Sequence, residues 1–138
     1  MLSENKKTLV ALRLEKANEC LRDAELMINS QSYKSAANRS YFSVFHAMRA
    51  VLALNDFDSK RHTGIISAFR EKYIKTGIFQ KNLSDIINRA FDNRGESDYN
   101  DFYVISKDET VEQAKNAKIF LTTVEAYIQS LDCKTNEA

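Results

Sequence analysis

Apolar side chains recur at Val10, Leu14, Ala17, Leu21, Ala24 and Ile28, in alternating steps of four and three. Those steps put all six on one helix face and predict a first helix over 3–29. A polar break at 29–32 follows, and Ser32 is placed to cap a second helix. There Ala37, Tyr41, Val44, Phe45, Met48, Val51 and Leu52 form one broad apolar face that ends near Asn55. So short a connection makes the two helices antiparallel neighbours.

A charged loop over 56–61 leads to a third helix, 62–75, carrying Ile65, Ile66, Phe69 and Tyr73. Gly77 follows it as a left-handed stop. A fourth helix, 80–94, carries Leu83, Ile86, Ile87, Ala90 and Phe91, and Gly95 is read in the same stopping role. The next ten residues are polar and aromatic, with no helical period. Ser106-Lys107-Asp108-Glu109 is a capping box. The fifth helix behind it repeats Ala114, Ala117, Leu121, Val124, Ile128 and Leu131. The ends, 1–7 and 134–138, are expected to fray. The prediction is a single domain over 1–138: an all-α, up-and-down helical bundle of about five helices, three long and two shorter.

Composition supports that reading. The 138 residues hold no proline and three glycines, where about seven and ten would be usual. Hairpins and tight turns need both residues, so sandwiches, barrels and Gly-rich phosphate loops are disfavoured. The 20 basic and 19 acidic residues leave a net charge of +1. That argues against coating a long nucleic acid, although a local basic patch is compatible with it. Cys20 and Cys133 are the only cysteines, and no Cys/His cluster is present. A structural zinc site is therefore disfavoured, and no cofactor is implied. A disulfide is open on spacing alone, but a reduced protein is the simpler reading. No apolar run reaches membrane-spanning length, so a cytoplasmic location and no membrane partner are expected.

Two segments carry candidate chemistry. In the second helix, Arg39, Ser43, His46 and Ala50 fall opposite the Tyr41, Val44, Met48 and Leu52 stripe. Such a side is either solvated or, with Phe42 beside Arg39 and His46, a partner-facing surface. The other segment is 93–99. If Gly95 turns the chain, Asp98 and Tyr99 fold back on Arg94. That pairing is either a structural ion pair or a phosphate site centred on Arg94.

These segments, in this order and in a helical chain of this size, resemble the HEPN domain family, specifically its small stand-alone bacterial and archaeal members. The run from Ala36 to Leu52 is similar to that group's second helix. Arg61-His62-Thr63-Gly64-Ile65-Ile66, the Lys75-Thr76-Gly77 turn and Arg94-x-x-x-Asp98-Tyr99 follow at matching places. A last helix with Ala114, Ala117 and Phe120 completes a resemblance over residues 8–131.

The resemblance implies a homodimer. It also implies, for many members, a metal-independent endoribonuclease toxin paired with a nucleotidyltransferase antitoxin. The active site would join an Arg and, a short spacer later, a His, doubled across the dimer. This chain departs there: Tyr99 stands where the His would, and a phenol with a pKa of about 10 is a poor base at neutral pH. The tyrosine that some toxins offer for modification with AMP is replaced by Asp101. Arg39 and His46 match the Arg–His spacing, but in the second helix, where the motif does not belong.

Three readings stay open. The first is a binding module for nucleotide, RNA or a nucleotidyltransferase partner, with Arg94, Asp98, Tyr99, Asn38 and Arg39 at the site. The second is a ribonuclease toxin, with Arg94 on the phosphate and Tyr99 or His46 as base. The third is a structural interaction subunit without activity of its own.

Overall fold

The computed structural model describes residues 3–99 and 104–137, the side chains of 93–99 and 132–137 excepted. Among them all regular structure is helical: α1 (Glu4–Asn29), α2 (Tyr33–Ala53), α3 (His62–Phe69), α4 (Asn82–Tyr99) and α5 (Lys107–Glu137). The all-α bundle expected from the pattern is what forms.

The Ser3 side chain caps α1, accepting the Lys6 N–H at 3.1 Å. Val10, Ala17, Leu21 and Ala24 are buried as their spacing requires. At its end Gln31 takes a left-handed φ of 62°. The Gln31 N–H then donates to the Ile28 carbonyl, and the Ser32 N–H to that of Met27 at 2.8 Å. This paired closure is a Schellman turn built without glycine. Ser32 therefore finishes α1 through its backbone, and its side chain makes no cap bond to α2.

α2 is the central helix, packed against α1, α3, α4 and α5. The side read as solvated or partner-facing is largely covered: Ser43 and Ala50 are fully buried, as are Ala36, Ala47 and, at 1% exposure, Ser40. The pattern misleads because these side chains are too small to register as an apolar face. Their size allows a neighbouring backbone to come close. Asn38, Arg39, Phe42, His46 and Arg49 form a half-buried edge along α2.

Between α2 and α3 the chain is tied by charge. Arg13 of α1 donates to the Arg49 carbonyl at 3.0 Å and to Asp58 at 3.1 Å. Arg49 reaches the same Asp58 oxygen at 3.1 Å. Burial works to raise the Asp58 pKa. The hydrogen bonds from Arg49 and the Ser59 N–H, and the charges of Arg49 and Arg13, outweigh it and hold the pKa below the usual range.

α3 runs on into a π-helical turn, Arg70–Ile74, closed by the Lys75 N–H on the Arg70 carbonyl at 2.9 Å. That turn seats Tyr73, whose hydroxyl donates to the Val51 carbonyl and meets Asn55 Oδ1 at 2.7 Å. Gly77, with φ of 78°, ends it as expected. Phe69, Tyr73, Phe79, Phe120 and Tyr127 then stack in one aromatic cluster under α5.

α4 does not stop at Arg94. It continues through Gly95 to Tyr99, so the reading of Gly95 as a stop is corrected. An interior glycine costs a helix about 1 kcal/mol relative to alanine. Upstream burial of Leu83, Ile86, Ile87 and Ala90 holds the helix against that penalty. Ser106 does cap α5, accepting the Glu109 N–H at 3.1 Å. The Glu109 carboxylate takes Arg89 of α4 at 3.2 Å. α5 extends to Glu137.

Candidate functional site

The half-buried edge of α2 collects cations and rings. The Arg39 guanidinium carbon lies 5.4 Å from the centre of the Phe42 ring, within cation–π range. Arg39 also donates to the Asn38 side-chain oxygen at 3.1 Å. Phe42 continues to His46 at 6.0 Å between ring centres. Asn38 and Arg39 line one side of an open groove of about 450 Å³, which Asp23, Met27, Lys34 and Ser35 complete.

His46 sits in an unusual electrostatic position. Burial, then the charges of Arg49, Lys16, Arg39 and Arg13, push its pKa down to about 4. Its Nδ1 is buried without a hydrogen-bond partner. The imidazole is thus neutral at pH 7 and a weaker base than a free one. Two of the four cations that depress it, Arg13 and Arg49, are themselves paired with Asp58.

A second histidine lies around the corner of α2. His62, the first residue of α3, has its Nδ1 2.7 Å from the Tyr41 hydroxyl. Its ring stacks on Phe45 at 4.2 Å and meets the edge of Phe42 at 5.8 Å. Tyr41 also packs on Phe91 of α4 at 6.1 Å. Position 94 lies one helical turn past Phe91, so α4 carries Arg94 towards the same end of the bundle. Sequence reasoning did not bring His62 together with Tyr41: no period or motif spacing links it to a partner 21 residues away.

The loop before α3 holds His62 closely. A Cβ built on Gly64 would come within 2.5 Å of the Ser59 hydroxyl oxygen, so only glycine lets the loop cross there without a shift. Beyond His62, Thr63, Ile66, Arg70, Lys75, Ile87 and Phe91 line a groove of about 470 Å³ between α3 and α4. Arg70 is fixed in its wall by Ser84 and Asn88.

The expected fold-back of Asp98 and Tyr99 onto Arg94 through a turn at Gly95 does not occur, because all four stand in the continuous helix α4. Arg94 and Asp98 are one helical turn apart; the side chains of Arg94, Asp98 and Tyr99, and the whole of Asp101, lie outside the described residues. Asn38, Arg39 and His46 do share one edge, with Phe42 between them. Cys20 is buried, and burial, its largest influence, raises its thiol pKa. Cys133 lies outside the described side chains. Among the described residues no helix is long and apolar enough to cross a membrane. Nor do three His, Cys, Asp or Glu side chains there converge as a metal site.

Comparison with known proteins gives a consistent picture. The HEPN domain profile matches residues 10–127. A UPF0332 protein of Thermotoga maritima is 29% identical over 126 residues, covering 91% of this chain and 96% of its own. The protein named "Putative toxin MJ0142" of Methanocaldococcus jannaschii is 32% identical over 117 residues, covering 85% of this chain and 80% of its own. A UPF0332 protein of Archaeoglobus fulgidus is 34% identical over 110 residues, 80% of this chain and 87% of its own. With its helical bundle, its α2 run and a match over most of its length, the chain belongs to the HEPN domain family.

Proposed function

We propose that this protein is a homodimeric HEPN module of a toxin–antitoxin pair that binds single-stranded RNA at the corner formed by α2, α3 and α4. A nucleotidyltransferase is the antitoxin partner in this reading. Arg94 on α4 and Arg39 on α2 take phosphates. Asn38 adds hydrogen bonds, Asp98 and Tyr99 complete the α4 side, and Phe42 and Phe91 offer faces to bases.

The observation that carries the reading is the α2 edge, where Arg39 lies over Phe42 and four cations surround His46. Single-stranded nucleic acids are held by this combination of stacking faces and cations. Two relatives bearing the word toxin in their names add support.

Anisotropy titrations of a labelled RNA oligonucleotide test it. Arg39→Ala and Arg94→Ala should each weaken binding and each flatten the salt dependence by about one unit of slope. Phe42→Ala should weaken binding without changing that slope. Binding unaffected by all three substitutions, or no binding at high micromolar protein, would refute the proposal.

A further inference from the structure

We propose that the outer face of α1 docks on the same face of a second copy of this chain, antiparallel across a two-fold axis. The inference rests on the homodimer reading above and deepens it, because it assigns the dimer its face.

Three of the seven most exposed large apolar side chains among the described residues stand on α1: Leu9, Leu12 and Leu26, at 41%, 53% and 64% exposure. At 100° per residue they share one stripe, about 100° wide, with Lys16, Glu19 and Asp23. The buried stripe of α1, with Val10, Ala17, Leu21 and Ala24, packs into the bundle, and the leucine stripe faces away from it.

The order of residues along the leucine stripe is self-complementary. Two copies of α1 laid antiparallel, with the axis between residues 17 and 18, set Leu9 against the partner's Leu26 and Lys16 against the partner's Glu19. The axis repeats both pairs, so apolar contacts close the two ends and opposite charges the middle. Leu12 extends the apolar end beside Leu9. Opposite it comes the partner's Asp23, a residue that lines the groove shared with Arg39. Glu15 and Arg22 flank the stripe and face each other across the axis at nearly the same register. A parallel pairing lacks this match, because it sets Lys16 on Lys16 and Glu19 on Glu19.

The charges needed for this contact are uncommitted. Among the described residues the ion pairs of α1 are those of Lys6, Lys7 and Arg13. Glu15, Lys16, Glu19 and Arg22 enter none. The acids among the leucines also oppose an anionic lipid surface as the occupant. The stripe borders the α2 edge, since Asp23 lines one groove with Asn38 and Arg39. The dimer therefore sets the two α2 edges beside the axis.

The test measures the mass of the purified full chain in solution by light scattering at micromolar concentration. Wild type should return about twice the 15.8 kDa chain mass. Lys16→Glu sets acid against the partner's Glu19, and Glu19→Lys sets lysine against the partner's Lys16. Each alone should weaken self-association by about tenfold or more, with helix content by circular dichroism unchanged. Mixed in equal amounts, the two variants present opposite charges at both positions and should dimerise again, which unfolded chains could not do. Leu9→Gln combined with Leu26→Gln should also leave a folded monomer.

A dimer that survives all of these substitutions would place the interface elsewhere and leave the homodimer reading intact. Two folded, monomeric charge variants that stay monomeric when mixed would overturn the antiparallel register. A wild-type monomer would remove both the face and the dimer, while the RNA titrations above still judge the binding site.

Discussion

At the scale of single residues, the two histidines of this chain pack differently: His46 lies on the α2 edge beside Phe42, and His62 against Tyr41 and Phe45. His46 is neutral because burial and four cations oppose its charge. Its folded pKa of about 4 lies below the unfolded value of about 6.5. The unfolded state therefore binds the extra proton first, and stability falls as pH drops through the window from about 6.5 to about 4. The full shift corresponds to at most about 3 kcal/mol, less after solvent screening of a half-exposed ring. Chemical denaturation between pH 7 and 4 should show a smaller loss in His46→Gln than in wild type. An equal loss in both would place the titration elsewhere.

Asp58 acts in a lower window. Its pKa is held below the ordinary carboxylate value, so its contribution is present above about pH 4 and is lost as pH falls through the lowered folded value. Asp58→Asn should destabilise the fold at pH 7 by about 1–3 kcal/mol, since Arg13 is 9% exposed and faces Arg49 across that carboxylate. A denaturation midpoint unchanged in Asp58→Asn would contradict this. His46 was legible as a candidate, being one of two histidines in a motif-like run. Its depressed basicity was not, because burial, the largest cause, follows from packing, and two of the four cations, Lys16 and Arg13, stand on another helix.

At the scale of elements, the helices were legible wherever large apolar residues recur at steps of three and four. α1, α2 and the α3 segment fall close to their expected bounds. The errors have one physical source: sequence pattern records side-chain size and polarity, while termini are settled by competing backbone contacts. Gln31 closes α1 without glycine, and Gly95 fails to close α4.

The two glycines give a paired prediction. Gly77→Ala forces a left-handed φ of 78° on a residue with a Cβ and should cost about 1 kcal/mol, although nothing lies within 4 Å of the added atom. Gly95→Ala should instead stabilise by about 0.5–1 kcal/mol, as it does in a helix interior. Thermal melts of the two variants should therefore move in opposite directions. A Gly95→Ala variant that melts below wild type would argue for a helix ending at that position.

At the scale of the whole molecule, the class of fold was legible from composition and periodicity, and the family from two runs of residues. What stayed hidden was the corner. Tyr41 and Phe45 read as core, His62 as the start of a helix and Phe91 as the flank of another. Only packing puts them in one cluster, and only packing shows that the small face of α2 is covered while its Arg39–Phe42–His46 edge is half-buried. The dimer proposed for this family member has a simple check: light scattering at micromolar concentration should return about twice the 15.8 kDa chain mass. A single chain mass would refute the dimer.

The central claim, that RNA lies across the α2–α3–α4 corner, is tested most directly by photo-crosslinking a 4-thiouridine oligonucleotide to the protein and mapping the modified peptides. The account predicts adducts confined to two stretches, 38–49 on α2 and 91–99 on α4, and strongly reduced by Phe42→Ala. Adducts on the exposed face of α5, around Lys115 and Ile119, with none on α2 or α4, would contradict it.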